Sequence, residues 1–326
     1  MRKIAYFLMV LALLPLGYGS DCSGGGDPLQ TPKKLLYVAD NGNDAVYVLE
    51  GVDTIDGVVA PSRTISGDKT LITNPTAVAV DTLRDILYVA DASEQKILVY
   101  APASTKDGDV DPTRTIPAGG NIQRMFLDEE NNRLYVFNAT ELNIQEWDDV
   151  STVNGTVPDR FFTLDFLASA IFVDTERDFL YAGDFISMVI PVYNQVSTLI
   201  GSPLPARIIS DNERPFNRID GITMNTDNDI LYFSNSLNPS IDIYLNALTV
   251  NGEVDPDRIL EGDNTALTSE LGFIKFLDNV LYVRNSPTVI TVFDDANTLD
   301  GDVAPSRTIT VDGADRIISF DIDLQH

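Results

Sequence analysis

DGVVAPSRTI (residues 56–65) returns as DGDVAPSRTI at 300–309, close to the other end of the chain. The slots between are filled by DGDVDPTRTI (107–116), NGTVPDRFFTL (154–164), GSPLPARII (201–209) and NGEVDPDRIL (251–260). A second signature keeps step with the first: LYVAD (36–40), LYVAD (87–91), LYVFN (134–138), LYAGD (180–184), LYFSN (231–235) and LYVRN (281–285). The Leu-Tyr pairs are spaced by 51, 47, 46, 51 and 50 residues, a period that belongs to propeller blades or comparable arrays. The quoted pair are therefore the first and last of six copies of one unit.

Within a unit the hydrophobicity alternates with period two, as in TAVAVD (76–81), ILYVAD (86–91) and KILVYA (96–101), with short polar turns between. No ten-residue helical stripe intervenes, so the pattern predicts an antiparallel meander. Each unit supplies four strands; in the second they are read as A (76–81), B (86–91), C (96–100) and D (113–117). A lone four-stranded sheet leaves both faces wet, so six must stack around an axis. The fold class expected is all-β, a six-bladed β-propeller with four antiparallel strands per blade. Closure is written at the ends: LLYVAD (35–40) is a B-like strand with no A before it, and RIISFDID (316–323) an A-like segment with no B after it. Pairing them completes one blade and removes open edges. On its PxxVAVD-then-LYVAD succession, the stretch 35–326 resembles the six-bladed propellers with NHL-like or YVTN-like repeats of exported bacterial proteins. That group contains enzymes and binding scaffolds alike, so the resemblance implies a fold and leaves the activity open.

The chain has 326 residues, 44% of them hydrophobic, and 49 acidic against 22 basic side chains, a formal net charge of −27. Such a chain repels nucleic acid and anionic lipid, which excludes both as partners. Residues 1–21 read as an export signal: Arg2 and Lys3, an apolar run from Ile4 to Leu16, then small residues. Residues 22–34 read as a Gly-rich tether and 35–326 as the propeller. Cys22, the only cysteine, followed by SGGGD, resembles the lipidated cysteine of bacterial lipoproteins, although Asp21 stands where that pattern has Gly or Ala. The alternative is cleavage near Gly19, leaving Cys22 a bystander. Either way no intramolecular disulfide forms. A periplasmic or outer-surface location is expected, with membrane contact only through an N-terminal lipid anchor and with the protein as a monomer.

His326 is the only histidine, which removes Ser-His-Asp and Cys-His catalysis and the histidine-rich metal sites. Three sets of repeated positions remain. Arg63, Arg114, Arg160, Arg207, Arg258 and Arg307 share one slot, and six copies of an arginine read as structural ties from strand D to a neighbouring carboxylate or turn. Asp40, Asp91, Asn138, Asp184, Asn235 and Asn285 end the B strands, where Asp and Asn cap turns. The other reading makes Asp40, Asp91 and Asp184 oxygen ligands for Ca²⁺ in a metal-dependent hydrolase or lactonase-like propeller. At the start of strand A the units differ; aligning on AVAVD sets Gln123, Ser169, Asp220, Phe273 and Arg316 opposite Thr76. Gln123, Arg124, Arg218, Asp220 and Arg316 are the ligand-contact candidates, because a site needs residues that break the repeat. The function expected is a non-catalytic extracytoplasmic binding or scaffolding propeller with its ligand at the central-channel mouth, the ligand an envelope protein, peptide or glycan. A structural surface protein without a small-molecule site is the third reading.

Overall fold

The computed structural model describes residues 33–155, 157–211, 216 and 218–326; the leader, Cys22 and most of the tether lie outside the described residues. Six antiparallel sheets, each built on four consecutive strands, follow one another along the chain. The second blade shows the pattern: strand A Pro75–Asp81, B Ile86–Asp91, C Lys96–Tyr100 and D Arg114–Pro117, each within a residue of its sequence reading. The first blade is the composite one. Its A strand is Ile317–Asp323, paired with Leu35–Asp40 so that Phe320 faces Val38. The protein is a closed six-bladed β-propeller.

What holds the ring is burial between blades. Each apolar cluster draws on two consecutive sheets, for example Tyr88, Ile97 and Val99 of blade 2 against Leu134, Val136 and Trp147 of blade 3. The sixth cluster joins Leu36, Val38 and Tyr47 to Tyr282, Ile290 and Val292, so the seam between the two ends is packed like the others. Every residue of Leu35–Asp40 and of Ile86–Asp91 is buried. At about 1.5–3 kcal/mol per fully buried large apolar side chain, stacking supplies what a single blade lacks.

The repeated decapeptide is a strap between blades. Its Asp-Gly half lies along the D strand of the preceding blade, and its Arg-Thr-Ile half is the D strand of its own. The Gly108 amide donates to the Thr64 carbonyl at 2.7 Å, while the Thr64 amide donates to the Asp107 carboxylate at 2.9 Å. Gly301 and Asp300 repeat this on Ile259, and across the seam residues Gly57–Val59 pair in parallel with Ile309–Val311. All six strap glycines, at 57, 108, 155, 201, 252 and 301, have φ between 68° and 84°, a left-handed conformation that glycine adopts without strain.

The strap's arginine reaches the other way. Arg63 donates to the carbonyls of Ala103 and Lys106, Arg207 to Ala247 and Val250, and Arg258 to Asn297 and Leu299, all in the turn that leads into the following blade's strap. Arg114 and Arg307 make the equivalent contacts with Val150 and Val153, and with Val52. Two of the Leu-Tyr tyrosines point to the same place: the Tyr232 hydroxyl donates to the Ala296 carbonyl at 3.1 Å and that of Tyr181 to the Ala247 carbonyl at 3.5 Å. In these two blades arginine and tyrosine bind one turn of the next blade. Arg160 is the exception, turned onto Glu146 and Asp148, which it shares with Arg133.

Candidate functional site

The B-to-C turns and the starts of the A strands lie on one face of the ring. The Ala92 amide donates to the Asn74 carbonyl at 3.1 Å, and Ala139 to Asn121, Phe185 to Leu167, Ser236 to Arg218 and Asn41 to Arg316 in the same manner. Next to these contacts the A strands of blades 1 to 5 carry a register shift against their B strands. The residues skipped are Ile318, Thr76, Gln123, Ser169 and Asp220. A bulge re-aims a side chain out of the pleat, here at the mouth of the channel.

The registers correct the sequence alignment at two positions. Ile274 faces Val283 as Val78 faces Val89, so Gly272 and not Phe273 is the equivalent of Thr76 in blade 6. Phe320 faces Val38 in the same way, which makes Ile318 and not Arg316 the equivalent in blade 1. A slip of two residues leaves a period-two pattern unchanged, and the bulge adds a further residue that alternation does not record. Arg316 instead shares the place of Asn74, Asn121 and Arg218, the outermost ring of the mouth.

A cavity of about 370 Å³ fills this mouth, and Gln123, Arg124, Arg218, Asp220 and Arg316 all line it. Asp220 is tied down: its carboxylate accepts from the Arg218 guanidinium at 2.8 Å and from the Ser236 hydroxyl at 2.9 Å. Arg218 itself sits at φ 131°, an uncommon conformation for a residue with a side chain. The Arg124 guanidinium donates to the carbonyls of Ser169 at 2.5 Å and of Gln123 at 2.7 Å. Its pKa is lowered, by burial first and also by the charges of Arg284 and Arg218, against the opposing pull of Asp220.

Arg284 is the residue that the sequence reading missed. It occupies the slot held by Ala39, Ala90, Phe137, Gly183 and Ser234 in the other blades, so the rule of looking for breaks in the repeat finds it once applied to strand B. Gly272 makes room for it: a Cβ there would stand 2.1 Å from the Arg284 Nε. The Nη2 donates to the Leu271 carbonyl at 3.3 Å, and the buried Nε has no partner. Burial lowers this guanidinium too; Asp220 opposes, and Arg218 and Arg316 add to the lowering. Below the arginines Met125, Ile171, Ile222 and Phe273 form an apolar collar shared with a smaller cavity that contains Glu129, Lys275 and Asp321.

The B-strand carboxylates do a different job. Asp40 accepts the amides of Gly42, Asn43, Asp315 and Arg316; Asp91 those of Thr73, Asn74 and Glu94; Asp184 those of Ile186 and Ser187. Their oxygens are occupied in building the turns that carry the mouth. Among the described residues the one carboxylate or histidine group close enough to share a cation is Asp85, Asp323 and His326, which contains none of the three. There the Asp85 carboxylate already holds the Ser104 amide and hydroxyl.

No protein-family model and no curated protein matches the chain. Its fold has solved counterparts. A chain in the crystal structure of a nidogen/laminin complex is similar over 90% of this chain and 99% of its own, with a TM-score of 0.64 at 15% identity. At that identity the likeness is one of fold.

Proposed function

We propose that this chain is a non-catalytic binding or scaffolding propeller of the exported, NHL- or YVTN-like kind, and that its ligand is anionic and sits at the mouth of the central channel. The observation that carries this reading is the charge of the mouth. Among the described residues, four guanidiniums, from Arg124, Arg218, Arg284 and Arg316, line one cavity with Asp220 as the sole carboxylate in its wall. They do so in a protein whose net charge is −27. Holding like charges together in a partly dry cavity is unfavourable, and an anion that bridges them removes the penalty. Pocket size agrees with a small ligand or one projecting group of a larger one.

The same wall argues against catalysis, since Asp220 is already neutralised by Arg218 and is poorly placed to act as a base. A scaffolding role is in keeping with the fold's appearance in a protein–protein complex, nidogen with laminin. Export, with or without a lipid on Cys22, rests on the leader and is tested by fractionating cells that express the chain or its Cys22→Ser form.

The binding reading is tested by titrating inorganic phosphate at low salt, with thermal unfolding followed through Trp147. Stabilisation of roughly 3 °C at several times the dissociation constant is expected, and its loss in Arg284→Gln/Arg316→Gln. A melting temperature that ignores phosphate and simple carboxylates alike up to about 10 mM, in parent and variant, would overturn the proposal.

A further inference from the structure

We infer that the anion taken at the mouth is a hydroxylated carboxylate of single-sugar size, a uronic acid or the acidic terminus of a glycan; this rests on the anion-binding reading above. The mouth has two unlike sectors. Blades 5, 6 and 1 contribute Arg218, Arg284 and Arg316, whereas blades 1 to 3 contribute Asn41, Asn74, Thr76, Asn121 and Gln123, together with Arg124, whose guanidinium is already engaged by the Ser169 and Gln123 carbonyls. One sector therefore offers charge-assisted donors, and the other offers neutral groups that both donate and accept.

Two buried atoms in the lining lack partners, and they ask for opposite things. Arg284 Nε is a donor in need of an acceptor; Asn41 Oδ1 is an acceptor in need of a donor. A carboxylate satisfies the first and cannot satisfy the second, because an ionised carboxylate has no proton to give. A second carboxylate, as in a dicarboxylic acid, would set acceptor against acceptor at Asn41. A hydroxyl donates to Asn41 Oδ1 and can also accept from a neighbouring amide. Asn41 and Arg284 line the same cavity, so both demands face one occupant. Beneath them the collar of Met125, Ile171, Ile222 and Phe273 presents an apolar floor, which suits the C–H face of a pyranose ring. A cavity of about 370 Å³ lies at the small end of the ~300–1,000 Å³ range of ligand pockets, which fits one ring and excludes a buried chain.

Calorimetric titration of the purified propeller with D-glucuronate, D-glucose, succinate and inorganic phosphate tests this. Glucuronate is expected to bind about tenfold tighter than each of the other three. Asn41→Ala should weaken glucuronate by about fivefold and leave phosphate unchanged, whereas Arg284→Gln should weaken both. Gly272→Ala, which keeps every charge but places a methyl group where the guanidinium lies, should act like Arg284→Gln; this guards against reading a misfolded variant as a lost contact. Phosphate or succinate binding as tightly as glucuronate, with Asn41→Ala silent, would overturn the hydroxy-acid inference and leave the anion-binding mouth standing. Absence of binding by all three anions would overturn both.

Discussion

The backbone amide of Arg316 donates to the Asp40 carboxylate at 2.9 Å, which ties the start of the last strand to the end of the first. Ring closure and ligand site are consequently one piece of structure: the strand that completes blade 1 also brings the Arg316 side chain to the channel mouth.

Deletion of residues 314–326 is therefore expected to do more than fray an end. It removes Ile317, Phe320 and Ile322, each at most 4% exposed, and strips Leu35–Asp40 of its inner partner. At about 1.5–3 kcal/mol for each buried side chain, the melting temperature should fall by roughly 10 °C or more, and phosphate binding should vanish with it. A truncated protein melting within about 2 °C of the full chain would refute the closed ring.

The straps give a comparison inside one molecule. Arg258→Ala leaves the carbonyls of Asn297 and Leu299 without their donor, and a loss of roughly 1–3 kcal/mol is expected that salt does not alter much. Arg160→Ala instead removes a cation from carboxylates that Arg133 still serves, so its effect should be smaller and should shrink further in 1 M NaCl. Urea unfolding at two salt concentrations measures both. Equal, salt-independent losses would mean that Arg160 ties blades as the others do.

How far the sequence could be read follows from what repeats. Leu-Tyr pairs, strap glycines and strap arginines recur because every blade must meet its neighbour in the same way, and a repeated demand leaves a repeated residue. Gln123, Arg124, Arg218, Asp220 and Arg316 were legible as breaks in that repetition, and the fold brings all five to one cavity. Arg284 escapes because its slot sits within a strand, at a position that the other blades fill with small or apolar residues. The misplacement of Phe273 and Arg316 has another cause: bulges and two-residue slips do not disturb alternation, so depth along the channel axis was not recoverable. The straps' partners were hidden too, since they are backbone carbonyls, which any residue supplies.

Calcium at 5 mM is expected to move the melting temperature by less than about 1 °C. The carboxylates of Asp40, Asp91 and Asp184 already accept two to four backbone amides each, and a cation would have to displace them. Stabilisation by several degrees, lost in Asp91→Asn, would instead revive the metal-dependent enzyme.

The far end of the channel predicts a pH dependence. Burial pushes the Glu129 carboxyl up from 4.5 to about 7, helped by the negative charges of Asp321 and Asp81 and opposed by Lys275 and by the Thr82 amide. An acid that holds its proton more tightly when folded favours the native state in its protonated form. Its contribution is thus complete below pH 4.5, declines as the pH rises through about 7, and is gone above that. Glu129→Gln imitates the protonated acid and keeps an oxygen for the Thr82 amide, which the native carboxylate accepts at 3.1 Å. The variant should match the parent at pH 4.5 and melt about 3 °C higher at pH 8, a difference that cancels the titration of the many other carboxylates common to both proteins. Thermal melts of the pair across that range decide the matter: a constant gap would show that Glu129 is ionised throughout, with Lys275 strong enough to hold its charge in place.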